Sequence, residues 1–302
     1  MTSARQACVA TAVSAFEARA VGLIGAGRLA AALAAGLARA GYPVRAIASA
    51  RIESARSLAA ALGPGVAASA DPGDVAAACD VAFLTVPDSA IRPLAERIGW
   101  RQGQVVAHCS GALGLGELAA ARSGGAVPAC FHPLQTFPSR TPEPARFEGI
   151  FCGVEGAEPA HGWLEQVARD LGARPFPLEG VDRAVYHAAA VVASNHVIAL
   201  ASAAARLWAM AGLPVESGRE ALAPLLLAAA NNVARMELAL ALTGPVARGD
   251  IATIARHLDA LERDPGLREL YRQLSDELLR LPLGHDEATT GRLRALLAGP
   301  GG

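Results

Sequence analysis

The residues that most constrain this chain are Gly25-Ala26-Gly27-Arg28-Leu29-Ala30. They follow the short apolar run Val21–Ile24 and open an Ala/Leu-rich helical pattern that reaches about Ala40. The first glycine permits a tight turn after a strand, and the second lets backbone approach a pyrophosphate. The third position, Ala30, is small enough for close helix–strand packing. A helix starting there would aim free N–H groups and its positive dipole end at phosphates. Such a turn is a weak signal alone. It gains meaning at the head of a strand–helix series.

That series is present. Strands are expected at Val44–Ala48, Val81–Val86, Val105–His108, Ala126–Phe131, Gly149–Val154 and Arg174–Leu178, with helical patterns between them. The alternation predicts an α/β chain: a Rossmann-type parallel sheet domain with helices on both faces. After about Glu179 strand signals stop. Long helical stretches follow at Asp182–Met210, Glu220–Leu242, Ile251–Asp264 and Pro265–Leu281, so an all-helical carboxyl-terminal domain is expected. The expected division is a loose extension over 1–19, a dinucleotide-binding domain over 20–179 and a helical substrate or dimerisation domain over 180–302.

Composition narrows the chemistry. With 302 residues, 52% hydrophobic and 18% charged, the chain can bury a sizeable core. A net charge of -1 offers no footprint for nucleic acid or an anionic membrane. No stretch reads as a membrane span and no secretory signal is recognisable, so a cytoplasmic protein is expected. Cys8, Cys79, Cys109, Cys130 and Cys152 form no C-x-x-C pair, and the histidines have no close ligand spacing, so no metal is expected. All 27 basic residues are arginine. Without lysine there is neither a P-loop nor a pyridoxal-phosphate Schiff base.

The second strand ends in Ala48-Ser49-Ala50-Arg51, where an NAD site would carry an acidic residue on the ribose 2′-hydroxyl. Ser49 and Arg51 suit a 2′-phosphate instead, with Arg56 one helical turn further on, so NADP is favoured over NAD. The cofactor-binding set expected is Gly25, Gly27, Arg28, Leu29, Ser49 and Arg51, with Val86 and Pro87 walling the trough. Ser110 and Gly111 would reach the nicotinamide end.

Four further segments carry a resemblance: His108-Cys109-Ser110-Gly111; Phe131-His132-Pro133-Leu134-Gln135-Thr136-Phe137; Tyr186-His187-Ala188-Ala189-Ala190 with Ala193-Ser194-Asn195; and Leu242-Thr243-Gly244-Pro245-Val246-Ala247-Arg248-Gly249-Asp250. The chain resembles a bacterial family of Rossmann-like oxidoreductases whose carboxyl domain is domain of unknown function 2520. More distantly it is similar to pyrroline-5-carboxylate reductase, ketopantoate reductase and the deazaflavin-dependent NADP oxidoreductases. The resemblance implies NADP-dependent reduction of a C=O or C=N bond in a small molecule, but with no lysine the lysine–asparagine pair of ketopantoate and hydroxyacid enzymes cannot operate here. If Asn195 matches that asparagine, Val191 stands in the lysine's place.

The proton donor must then be another group. His132 follows a strand at the sheet's carboxyl edge, and His187 sits on the long helix; either could titrate near neutrality. Asn195 could orient a substrate carbonyl as a buried amide, and Ser110 lies near the nicotinamide end. Tyr186, Ser194, Thr243 and Arg248 are substrate-binding candidates, with Arg248 suited to a carboxylate. Simpler readings stand beside these: structural hydrogen bonding for the histidines and Tyr186, helix packing for Ser194, and N-capping of the next helix for Asp250. Alanine-rich helices suit a homodimer and equally a monomer's core. A non-catalytic NADP-binding sensor or regulatory protein is the alternative function.

Overall fold

A computed structural model describes residues 19–298. The extension read from the sequence, apart from its last residue, lies outside them. The chain divides into two compact units, one ending at Ser194 and the other starting at Asn195. Strands do stop near Glu179, but the helix that follows them clusters with the first unit.

The first unit holds one eight-stranded sheet: β1 (Val21–Ile24), β2 (Val44–Ala48), β3 (Ala67–Ser69), β4 (Val81–Leu84), β5 (Val105–His108), β6 (Val127–Pro133), β7 (Phe151–Gly156) and β8 (Arg174–Pro177). Their spatial order is β3-β2-β1-β4-β5-β6-β7-β8. The order of β1–β6 is that of a dinucleotide-binding doubly wound sheet. Helices α1 (Arg28–Arg39), α2 (Ile52–Leu62), α3 (Pro72–Ala78), α4 (Asp88–Arg97), α5 (Ala119–Ser123) and α6 (Ala160–Asp170) connect the strands. The sheet is not wholly parallel, because β7 runs antiparallel to β6. No full crossover helix separates these two strands, so the chain returns beside its predecessor.

The inner strands β1, β4 and β5 are buried along their whole length. Alternate residues feed two cores. Leu23, Phe83 and Phe131 face α1, α2 and α6, where Trp163 is packed. Ile24, Leu84 and Val106 face α3, α4 and α5. Buried on both sides, these strands read as continuous apolar runs.

Helix α7 (Arg183–Ala193) ends the first unit. Ser194, at φ -127 and ψ -72, breaks what the sequence suggests is one helix, and α8 (Asn195–Met210) begins at the next residue. The second unit continues with α9 (Val215–Arg235), α10 (Leu238–Ala241), α11 (Ile251–Ala260), α12 (Pro265–Leu278) and α13 (Glu287–Ala298). Its core gathers Val246, Ile254, Leu258, Leu279, Leu293 and Leu297. Helices α7 and α8 bury no residue, and α9 buries only Gly218. One expectation is corrected here: Arg183–Met210 is long and apolar enough to cross a membrane, with a mean hydropathy of 1.6 in its best window.

His108, at the end of β5, is fully buried. Its Nδ1 accepts the Ser110 N–H at 3.3 Å, which places the neutral ring's hydrogen on Nε2. Burial first, and the Arg183 guanidinium second, push its pKa down to about 4. Below its ordinary value the unfolded chain binds a proton that folded His108 refuses. Its contribution to stability is therefore complete above about pH 6.5 and is lost as pH falls toward 4, by up to about 3 kcal/mol. Urea unfolding at neutral pH and at pH 5 should show this loss. In His108→Asn the loss should shrink; an unchanged pH slope would assign the effect to other groups.

Candidate functional site

The glycine turn is fixed by contact as well as by conformation. Gly25 has φ +113, and a Cβ there would stand 2.4 Å from the Thr85 carbonyl oxygen. The Thr85 hydroxyl donates to Ile24 O at 3.2 Å and Gly25 O at 3.1 Å, latching the end of β4 to the turn. Gly27 is the N-cap of α1, and an added Cβ would meet nothing within 4 Å. The turn is therefore tight on its inner side and open on its outer side. Helix α1 has no side-chain cap and no acidic residue in its first turn. Its first helical bond is donated by Ala31 to Gly27 O, leaving the earlier N–H groups of Arg28 and Leu29 for an anion. Neither side chain lines the adjoining cleft. Arg28 is exposed and Leu29 packs on the core, so what the turn itself offers a phosphate is their backbone.

That cleft, of about 670 Å³, runs outside the carboxyl ends of β1, β2 and β4. Of the expected cofactor set it brings together Gly25, Gly27, Ser49, Arg51, Val86 and Pro87. Ser49 Oγ accepts the Arg51 N–H at 3.3 Å, which shapes the turn into α2. Arg56 does not join them; it pairs with Glu53 at 2.8 Å. Two arginines that the sequence reading missed do join: Arg97 and Arg140. Arg97 follows Ala90, Pro93 and Leu94 at helical spacing, so one face of α4 lines the cleft. Three guanidinium groups and no carboxylate line the cavity. The volume, the glycine cradle and this charge fit a phosphorylated dinucleotide.

A second group of polar side chains lies at the ends of β5 and β6. The His132 ring rests on Gly111, where a Cβ would stand 2.7 Å from the ring. Its Nδ1 is 2.7 Å from the Tyr186 hydroxyl, with the rings edge to face. Burial first, and nearby His187 second, push His132 down to about 4. Burial also pushes Tyr186 up to about 12. Ring and phenol are therefore both neutral near pH 7. Tyr186 also stacks edgewise on Phe176, at 6.0 Å between centroids.

Ser110 is closed within the fold. Its hydroxyl donates to Asp88 at 2.8 Å and accepts the N–H groups of Ala112 and Leu113 at 3.2 Å each. The sequence reading also missed the Arg183–Glu155 ion pair beneath this group. Arg183 lies 3.6 Å from Cys130 Sγ, and burial pushes that thiol up to about 11. The i+4 spacing that follows the helix start at Asp182 gave no hint that Arg183 turns toward the sheet.

The remaining candidates are dispersed. Ser194 donates its hydroxyl to Ala190 O at 2.6 Å. Asn195 is exposed rather than buried as expected, and the helix that it opens buries no residue. Thr243 and Arg248 are exposed residues of the turn between α10 and α11. Asp250 caps α11, accepting the Thr253 N–H at 3.0 Å. These last four belong to the second unit.

Comparison with known proteins agrees with this architecture. The Rossmann-like domain family matches residues 9–133, and the domain of unknown function DUF2520 matches residues 150–278. A comparison with curated proteins gives no match. A Bacteroides fragilis protein provisionally named an NADP oxidoreductase is 28% identical, with 87% of this chain and 98% of that one covered and a TM-score of 0.69. Protein TM1727 of Thermotoga maritima is 27% identical over 86% and 97%, with a TM-score of 0.67. A pyrroline-5-carboxylate reductase of Streptococcus pyogenes shares the fold at 18% identity, over 88% and 100%, with a TM-score of 0.59. The chain thus carries a region similar to Rossmann-like domains followed by one similar to DUF2520 domains.

Proposed function

We propose that the protein is an NADP-dependent oxidoreductase that reduces a C=O or C=N bond of a small, carboxylate-bearing molecule. The carrying observation is the cleft at the glycine turn, lined by Arg51, Arg97 and Arg140 and by no carboxylate. An acidic residue at the end of β2 would repel a 2′-phosphate; here Ser49 and Arg51 stand there instead. The provisional name of the Bacteroides fragilis relative supports the same reading. Bound NADPH would supply two electrons and one hydrogen to a polarised carbon.

The chain's own part is to position that carbon and to deliver a proton to the heteroatom beside it. Tyr186 is the proton donor in this reading, as its hydroxyl is protonated and hydrogen-bonded to a neutral His132. With the Nδ1–H of neutral His132 donating to the phenol oxygen, Nδ1 passes its proton to the phenolate as Nε2 takes one up from solvent, so the ring ends neutral. His187 biases His132 toward neutrality. Asn195 and Ser194, with Thr243 and Arg248, stay candidates for holding substrate. Ser110 acts as a positioning residue, because its hydrogen bonds are spent on the turn after β5.

The proposed partner is a second copy of this chain. Contiguous apolar side chains left exposed along helices mark an interaction surface. Val185, Val192, Ile198, Leu225, Leu227 and Val233 of α7, α8 and α9 are each more than half exposed. A second copy suits these helices better than a bilayer. Ser194 interrupts the apolar stretch, and α9 carries Arg219, Glu220, Asn231 and Asn232 along its length. Such polar groups are costly in hydrocarbon.

Three outcomes are expected. Arg51→Ala should weaken NADPH binding about tenfold or more while NADH changes little, read by titration of nicotinamide fluorescence; equal affinities in the wild type would defeat the 2′-phosphate assignment. Tyr186→Phe should lower kcat about 100-fold or more, with NADPH affinity retained. Tight NADPH binding without consumption, across a panel of keto acids and imines, would instead make the protein a sensor. Light scattering should give a particle of twice 30.8 kDa. A monomer that partitions into liposomes would assign the apolar helices to a membrane.

A further inference from the structure

Beside the cofactor cleft, at Ala26 and Ser54, lies a second hollow of about 270 Å³. The hollow lies against α1 and α2, with Ala31 on one helix and Ser57 and Leu58 on the other. Ala26, Ser54 and Arg140 line both spaces. Arg140 therefore stands where the cleft meets the first turn of α2, far along the chain from Arg51 but in the same cavity.

Its segment is built to hold it there. Arg140 lies in Phe137-Pro138-Ser139-Arg140-Thr141-Pro142, part of the irregular stretch between β6 and β7. Phe137 packs on Phe147 at 5.7 Å between centroids and against the larger core. Ser139 Oγ accepts the Thr141 N–H at 2.9 Å, closing a small turn around Arg140. Pro138 and Pro142 fix φ on either side of that turn. A loop restrained by an aromatic anchor, a hydroxyl turn and two prolines loses little freedom when its arginine engages a ligand.

The charge around Arg140 is uncompensated. The hollow's one carboxylate, Glu53, is held by Arg56 at 2.8 Å, and the cleft has none. Among the described residues, Arg140 makes no ion pair within 4.0 Å. Helix α2 has Arg51 as its N-cap and no side-chain cap, and its first helical bonds are donated by Ser54 and Ala55 to Arg51 O, which leaves the N–H groups of Ile52 and Glu53 for an anion. A dianionic phosphate there would meet two guanidinium forks, a hydroxyl and a helix N-terminus.

We propose that Arg140 is the second arm of the 2′-phosphate site, holding that group against Arg51 and Ser54 and so setting the preference for NADPH over NADH. This rests on the cofactor reading given above. The test is isothermal titration of wild type, Arg140→Ala and Arg140→Lys with NADPH, NADH, 2′,5′-ADP and 5′-ADP. Arg140→Ala should lose about tenfold or more in affinity for NADPH and 2′,5′-ADP, with NADH and 5′-ADP within about twofold of wild type. Arg140→Lys should recover part of the loss. A parallel loss for NADPH and NADH would place Arg140 on the pyrophosphate and overturn the assignment, as would no loss for either. Wild-type protein that binds neither dinucleotide would overturn the cofactor reading itself. A wild-type preference for NADPH that survives Arg140→Ala would overturn only the role of Arg140.

Discussion

The dinucleotide end of this molecule depends on one close approach. The backbone of Gly25 lies so near the Thr85 carbonyl that a Cβ would stand 2.4 Å from it, and its φ of +113 already excludes most other residues. Strand β1 lies between β2 and β4 in the sheet. The turn that leaves it must clear β4 at once for α1 to start over the strand ends. The Thr85 hydroxyl tightens the approach by bonding two carbonyls of the departing chain. The direction of α1, and with it the anion-facing N–H groups, follows from this packing.

Electrostatics then select the ligand. The chain as a whole is near neutral, with a net charge of -1. Many of its arginines are spent on carboxylates, as in Arg39–Glu148, Arg92–Glu117 and Arg169–Glu165. The cleft departs from that pattern by gathering three arginines and no acid. Guanidinium groups stay charged at any working pH and match phosphate in a forked geometry. Having no lysine, the chain makes this choice everywhere, and among the described residues Arg51, Arg97 and Arg140 of the cleft form no ion pair.

Legibility divided along the line between local and long-range structure. The glycine turn, Ser49 and Arg51 were readable because each acts through residues adjacent in sequence. Arg97 was readable in principle, since Ala90, Pro93 and Leu94 share its helix face. Arg140 was not, because its loop has no periodicity and its place depends on Phe137 reaching the core. The Arg183–Glu155 pair was hidden for the same reason: β7 carries Glu155, and nothing local announces that β7 pairs antiparallel with β6. Propensity predicted one helix through Ser194, whereas the backbone breaks there. Asn195 therefore opens a new helix instead of continuing the one that carries His187.

The two ends of the candidate site are built on opposite principles. At the turn, the cleft gathers three arginines and no carboxylate, so that the proposed phosphate would gain by entering. At His132 and Tyr186, burial disfavours charge on either group, and each is held in its neutral form. A phenol raised to about 12 is a poor acid toward water. In the proposed reduction it would become a useful donor only toward an atom that grows basic as a neighbouring carbon is reduced, with His132 already bonded to share the developing charge. Desolvation that makes the resting pair inert would thus confine proton transfer to the moment when substrate needs it.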